Sequence, residues 1–146
     1  MIVTLHHDWA FLKLKAWPDV ADALQTLKAK GIKLGFLSNL TAEMLNTGLA
    51  NSGLEGVLDH VLSTDTVETF KPDPRAYQLG IDAFNLPKEQ IAFAAFPGWD
   101  AAGAEWFGYR TFWVNRMGAK PESLDLKKTV TGQGLNDLVR FINEHN

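Results

Sequence analysis

Ile32-Lys33-Leu34-Gly35-Phe36-Leu37-Ser38-Asn39 is the stretch that decides the fold class. It is an apolar run interrupted only by Lys33, of the kind shown by strands buried on both faces, and a hydroxyl and an amide close its carboxyl end. Just upstream, Trp17-Pro18-Asp19 opens a helix. Proline suits a first turn, and Val20, Leu24 and Leu27 recur at helical spacing. Gly31 ends that helix as a left-handed residue. Downstream, Thr41 caps a second helix with Met44, Leu45 and Leu49 on one face and Gly53 at its close.

The alternation continues. Val61-Leu62-Ser63 is a short strand, and Thr64 to Pro74 is a loop. About Arg75 to Phe84 is a helix, followed by a strand from Ile91 to Ala95. Phe96-Pro97-Gly98 breaks that strand, Trp99 to Phe107 is helical with Gly108 as its stop, and Thr111 to Val114 is the last clear strand. Residues 117 to 131 are polar and irregular. Leu135, Leu138, Val139 and Ile142 mark a closing amphipathic helix. Strand and helix alternating at this rhythm predict an α/β fold with parallel pairing and right-handed crossovers. In such sheets ligands meet the carboxyl ends of strands, which directs attention to Ser38, Asn39, the loop around Lys71, and the turn from Phe96 to Asp100.

The 146 residues suffice for one domain with a core. Fourteen basic against 17 acidic residues leave a net charge of -3, too little positive field for sequence-independent nucleic-acid binding. With no cysteine there is no disulfide framework, thiolate metal site or cysteine nucleophile. The chain shows no apolar run of membrane length, and Met1 to Leu5 is too short and uncharged for a signal peptide, so a cytoplasmic location is expected. His6, His7, His60 and His145 show no metal-ligand spacing, and no cofactor is expected.

Three elements could carry chemistry. Ser38 and Asn39 can orient a carboxylate or phosphate oxygen. On spacing alone, capping of the next helix explains them at least as well. Phe70-Lys71-Pro72-Asp73-Pro74 stiffens the backbone around a lysine, which suits a placed positive charge, although a solvated loop lysine is the commoner fate. Tyr77 lies six residues on, where its hydroxyl could face the same loop. Trp99-Asp100-Ala101-Ala102-Gly103-Ala104 puts an acid in a helix's first turn and small residues where a helix can approach a sheet. Asp100 is either a favourable charge at a helix start or a partner to Lys71 and water.

Together these elements resemble the haloacid dehalogenase superfamily, and within it the type II (S)-2-haloacid dehalogenase branch, from about Trp17 to Arg116. The resemblance implies a Rossmann-like core with a parallel sheet flanked by helices. It also implies hydrolytic dehalogenation of a small 2-haloalkanoic acid, in which an aspartate displaces halide and water hydrolyses the ester. By motif, Ser38 and Asn39 would orient nucleophile and acid, and Lys71 would hold charge in place. Asp100 would organise Lys71 and water, while Tyr77 and Trp99 would contact substrate.

Two departures stand out. Where the branch shows Ser-Ser-Asn, this chain has Ala95-Phe96-Pro97-Gly98. No Asp-x-x-Gly-Thr-like element precedes Ser38, so the first strand, its nucleophile and the cap are expected to be missing, leaving a truncated chain that is inactive alone. Residues 1–16 are expected to be a remnant of the cap connection, 17–116 the core, and 117–146 a polar tail with a helix. Ile2-Val3-Thr4-Leu5 with Asp8 is a weaker substitute for the first strand. A homo-oligomer, or pairing with a missing segment, is the expected response. The alternatives are a phosphatase of the same superfamily, disfavoured by Phe96 where an acid would bind Mg2+, and a non-catalytic partner-binding domain.

Overall fold

A computed structural model describes residues 15–121, 123 and 126–144. The expectations for a cap remnant and for Ile2–Leu5 with Asp8 therefore fall outside the described residues, except at Lys15 and Ala16. The elements run α1 (Val20–Ala29), β1 (Gly35–Ser38), α2 (Ala42–Asn51), β2 (His60–Ser63), α3 (Pro74–Phe84), β3 (Ala92–Ala95), α4 (Gly98–Phe107), β4 (Arg110–Val114), β5 (Val130–Gly132) and α5 (Leu135–Asn143). Single 3-10 turns at Thr64–Val67 and Lys88–Gln90 lead into the segments before α3 and β3. Helix ends follow local chemistry. The Thr41 hydroxyl accepts from the Met44 N–H at the start of α2, and Gly31 and Gly108 take φ of +77° and +107° after α1 and α4.

Every strand pair is parallel. β1 pairs with β2 from Gly35↔His60 to Ser38↔Ser63, and β4 pairs with β3 on one side and β5 on the other. α2 makes the crossover from β1 to β2 and α4 the one from β3 to β4, as parallel pairing demands. Among the described residues, no strand pairs with the second edge of β1 or of β3. The ladder is thus split into a pair and a triplet.

That split corrects the expectation for Ile32–Leu37. The strand starts only at Gly35, because the Ile32 N–H is taken by the Leu27 carbonyl and the Leu34 N–H by the Asp59 carboxylate at 2.7 Å. It is not buried on both faces either: Phe36 remains 42% exposed. Apolar composition makes burial favourable, but a face is buried only where another layer covers it.

The region expected to be irregular, residues 117–131, ends in a strand instead. β5 is only three residues long and carries no hydrophobic alternation, so it follows from its surroundings. A Cβ on Gly132 would lie 2.5 Å from Asp137 Cβ and 2.6 Å from Phe112 Cζ, so glycine permits this close approach. Helix α5 is equally integrated. Leu138, Phe141 and Ile142 join Leu27, Leu34, Phe112 and Val114 in one buried cluster. The Asp19 carboxylate accepts two bonds from Arg116 Nη2, at 2.8 and 3.0 Å, and one from the Leu135 N–H at 2.9 Å, tying α1, the end of β4 and α5 together.

Candidate functional site

The first turn of α4 places Asp100 at the carboxyl end of β3, where it is buried. Burial of a carboxylate requires partners. Asp100 Oδ2 accepts from Lys71 Nζ at 2.6 Å, and Oδ1 accepts from the Tyr77 hydroxyl at 2.8 Å. Lys71 Nζ also donates to the Leu37 carbonyl of β1 at 3.2 Å and lies 5.5 Å from the centroid of the Phe93 ring on β3. One ammonium therefore touches β1 and β3, an edge strand from each of the two ladders formed by the described residues. The small residues after Asp100 allow this approach, since a Cβ on Gly103 would sit 2.4 Å from the Tyr77 hydroxyl oxygen.

Lys71 is held by its main chain as well as its side chain. Asn39 Oδ1 accepts from the Lys71 N–H at 2.8 Å, and Asn39 Nδ2 donates to the Lys71 carbonyl at 3.4 Å. Asp73 then caps α3, accepting from the Arg75 N–H at 2.8 Å with Pro74 in the first turn. The Arg75 side chain and N–H hold the Asp73 carboxyl down at about 2. One turn into α3 lies Tyr77, which has no exposed surface. Burial and the adjacent Asp100 carboxylate push its phenol well above the ordinary range, so it stays a proton donor. Tyr109, pushed up to about 12 by burial, donates to the Tyr77 carbonyl at 2.6 Å.

Of the six residues singled out from the sequence, the structure joins Asn39, Lys71, Tyr77 and Asp100 in one network. Ser38 lies beside it, its oxygen accepting from the Leu40 N–H at 3.2 Å. Trp99 stands next to Asp100 and is 40% exposed. Tyr77 meets Asp100 from the inside and presents nothing to solvent. Ser63 and Thr64 were missed: Ser63 Oγ donates to the Leu40 carbonyl at 2.7 Å and Thr64 Oγ1 to Asn39 Oδ1 at 3.3 Å. The available signal was a run of hydroxyls, Ser63-Thr64 and Thr66, at the carboxyl end of a strand.

A separate cavity of about 140 Å3 opens at the ends of β3 and β4, walled by Phe96, Pro97, Trp113 and Met117 with Arg116 at its border. The Trp113 Nε1–H donates to the Phe96 carbonyl at 3.0 Å and fixes this turn. Among the described residues, no group of three His, Asp or Glu side chains is arranged to hold a metal ion, and no helix is long and apolar enough to cross a membrane.

The haloacid dehalogenase-like hydrolase family matches residues 4–108. Haloacetate dehalogenase H-2 of Moraxella sp. (strain B) is 37% identical over 132 residues, covering 90% of this chain and 59% of that protein. The (S)-2-haloacid dehalogenase of Pseudomonas sp. (strain YL) is 40% identical over 109 residues, covering 75% of this chain and 47% of that protein. The crystal structure of the L-2-haloacid dehalogenase RSc1362 superposes with a TM-score of 0.89 at 41% identity, covering 92% of this chain and 60% of the other. The chain thus spans between about half and three-fifths of the length of these relatives. Family match and shared architecture agree: the chain belongs to the haloacid dehalogenase-like hydrolase family.

Proposed function

We propose that this chain supplies the charge-bearing half of a hydrolytic dehalogenase acting on a small 2-haloalkanoic acid. The observation that carries the proposal is Lys71, an ammonium fixed by Asp100 at the carboxyl ends of two strands whose facing partners are open. In the reaction, a carboxylate oxygen attacks C2 of the acid and forms an ester as the carbon–halogen bond breaks and halide leaves. Water then adds to the ester carbonyl, regenerating the carboxylate and releasing the 2-hydroxy acid and a proton. Lys71 holds the attacking carboxylate charged and in place. Asp100 and Tyr77 hold Lys71, Asn39 grips its main chain, Ser38 orients the bound acid, and Trp99 lines the substrate side. Positive charge from Lys71 makes the chemistry metal-independent, and Phe96 stands where a ligating acid would be needed.

The nucleophile is the component to be supplied. Asp100 is buried, with its oxygens turned to Lys71 and Tyr77, so it is out of reach of a substrate carbon. The open edges of β1 and β3 accept a parallel strand that ends in an aspartate, an association driven by main-chain hydrogen bonds. Without that strand the chain is inactive, and copies pair through the same edges. The experiment is halide release from 2-chloropropionate in EDTA, by the chain alone and with a peptide carrying an apolar strand ending in aspartate. Release only with the peptide is expected. Turnover of p-nitrophenyl phosphate with Mg2+, and no halide under any condition, would establish the phosphatase alternative instead.

A further inference from the structure

Thr64 has no assigned role, yet its side chain is wholly buried at the end of β2, and its hydroxyl reaches the amide that holds Lys71. Asn39 Oδ1 accepts from two donors, the Thr64 hydroxyl at 3.3 Å and the Lys71 N–H at 2.8 Å. An amide has two unlike ends. Turned over, Asn39 would set its NH2 against the Lys71 N–H and its oxygen against the Lys71 carbonyl, two repulsive contacts in place of two bonds. The Thr64 hydroxyl, donating to Oδ1, adds a third bond that holds the amide in the observed position. From this geometry we infer that Thr64 is a positioning residue: its hydroxyl fixes the Asn39 amide, and through it the Lys71 main chain and the reach of Nζ to Asp100.

Neighbouring bonds point the same way. Ser63 Oγ donates to the Leu40 carbonyl, so the last residue of β2 and the one after it bind two successive residues after β1. The Lys71 loop is thereby tied to the pair of strands through Asn39, while its side chain reaches across to α4. The inference rests on Lys71 being the working cation of the proposed function, and it assigns the hydroxyl a task that the methyl group of the same residue cannot perform.

Thr64→Val keeps the shape and removes the donor, whereas Thr64→Ser keeps the donor and removes the methyl. Trinitrobenzenesulfonate labelling of the full chain, followed by peptide mapping, measures the rate at Lys71 relative to exposed Lys120 and Lys33. Thr64→Val should raise the Lys71 ratio about fivefold, the factor that one hydrogen bond typically confers, and Thr64→Ser should stay within about twofold of the parent. Fast labelling in Thr64→Ser, or none in Thr64→Val, would overturn the assignment, as would a gain shared equally by Lys120 and Lys33. Labelling needs no turnover. The readout therefore reports the placement of Lys71 even if halide is never released, and halide release with unchanged labelling would remove Thr64 alone.

Discussion

Strands β1 and β4 are of similar length and apolar content, and the molecule treats them differently. β4 is paired on both sides, and Thr111, Phe112, Trp113 and Val114 are all buried. Among the described residues β1 is paired on one side, with Gly35 and Phe36 exposed and Leu37 half-buried. Hydropathy is a property of a segment, but burial is a property of a segment and its neighbours. β4, paired on both sides, runs through the core. Lys71 is fixed between the ends of β1 and β3, each paired on one side among the described residues, the arrangement expected where structure gives way to chemistry.

The largest contrast comes from aromatic truncation. Phe112→Ala empties a site that is 1% exposed, packed against Phe141, Leu138 and Gly132, and should cost about 4 kcal/mol. Phe36→Ala, on the open strand, should cost about 1 kcal/mol or less. Equal losses in urea denaturation would mean that Phe36 is packed as fully as Phe112.

The next effect lies at the junction of the two ladders. Lys71→Met leaves the Asp100 carboxylate buried without its cation and should cost about 3 kcal/mol, and adding Asp100→Asn should recover much of that loss. A double-mutant cycle with no coupling energy would break the link between the ladders.

A smaller effect distinguishes the β4 side by pH. Burial raises the pKa of Asp19, but the Arg116 hydrogen bond, the Leu135 N–H and the Arg116 charge outweigh it, and the net shift is downward. Stability from a depressed carboxyl is present above its unfolded value near 3.8 and is lost as pH falls through the lower folded value. Asp19→Asn should cost about 1 kcal/mol at pH 7 and flatten the loss of stability below about pH 4. An unchanged acid limb would show that Asp19 does not tie α1 to α5.

Much of this was legible in the sequence. Glycines marked helix ends at 31 and 108, and four of the five strands were located within a few residues. Lys71, Tyr77 and Asp100 could be placed on neighbouring elements because stiff prolines and small helix residues are local signals. What was not legible depended on tertiary context. β5 is too short for a period and exists because β4 and α5 support it. The exposure of Phe36 depends on what covers its face of the sheet, which no local pattern encodes. The inward orientation of Tyr77, and the hydroxyl of Thr64 on Asn39, are set by packing between elements distant in sequence.

Hydrogen exchange read by mass spectrometry tests most directly whether β1 and β3 are the receiving edges of a strand that completes the site. In the chain alone, peptides covering Gly35–Ser38 and Ala92–Ala95 should exchange much faster than those covering Arg110–Val114. Adding the aspartate-ending strand peptide should slow the first two and leave the third unchanged. Protection of β1 and β3 equal to that of β4 before any peptide is added, with no change afterwards, would contradict it.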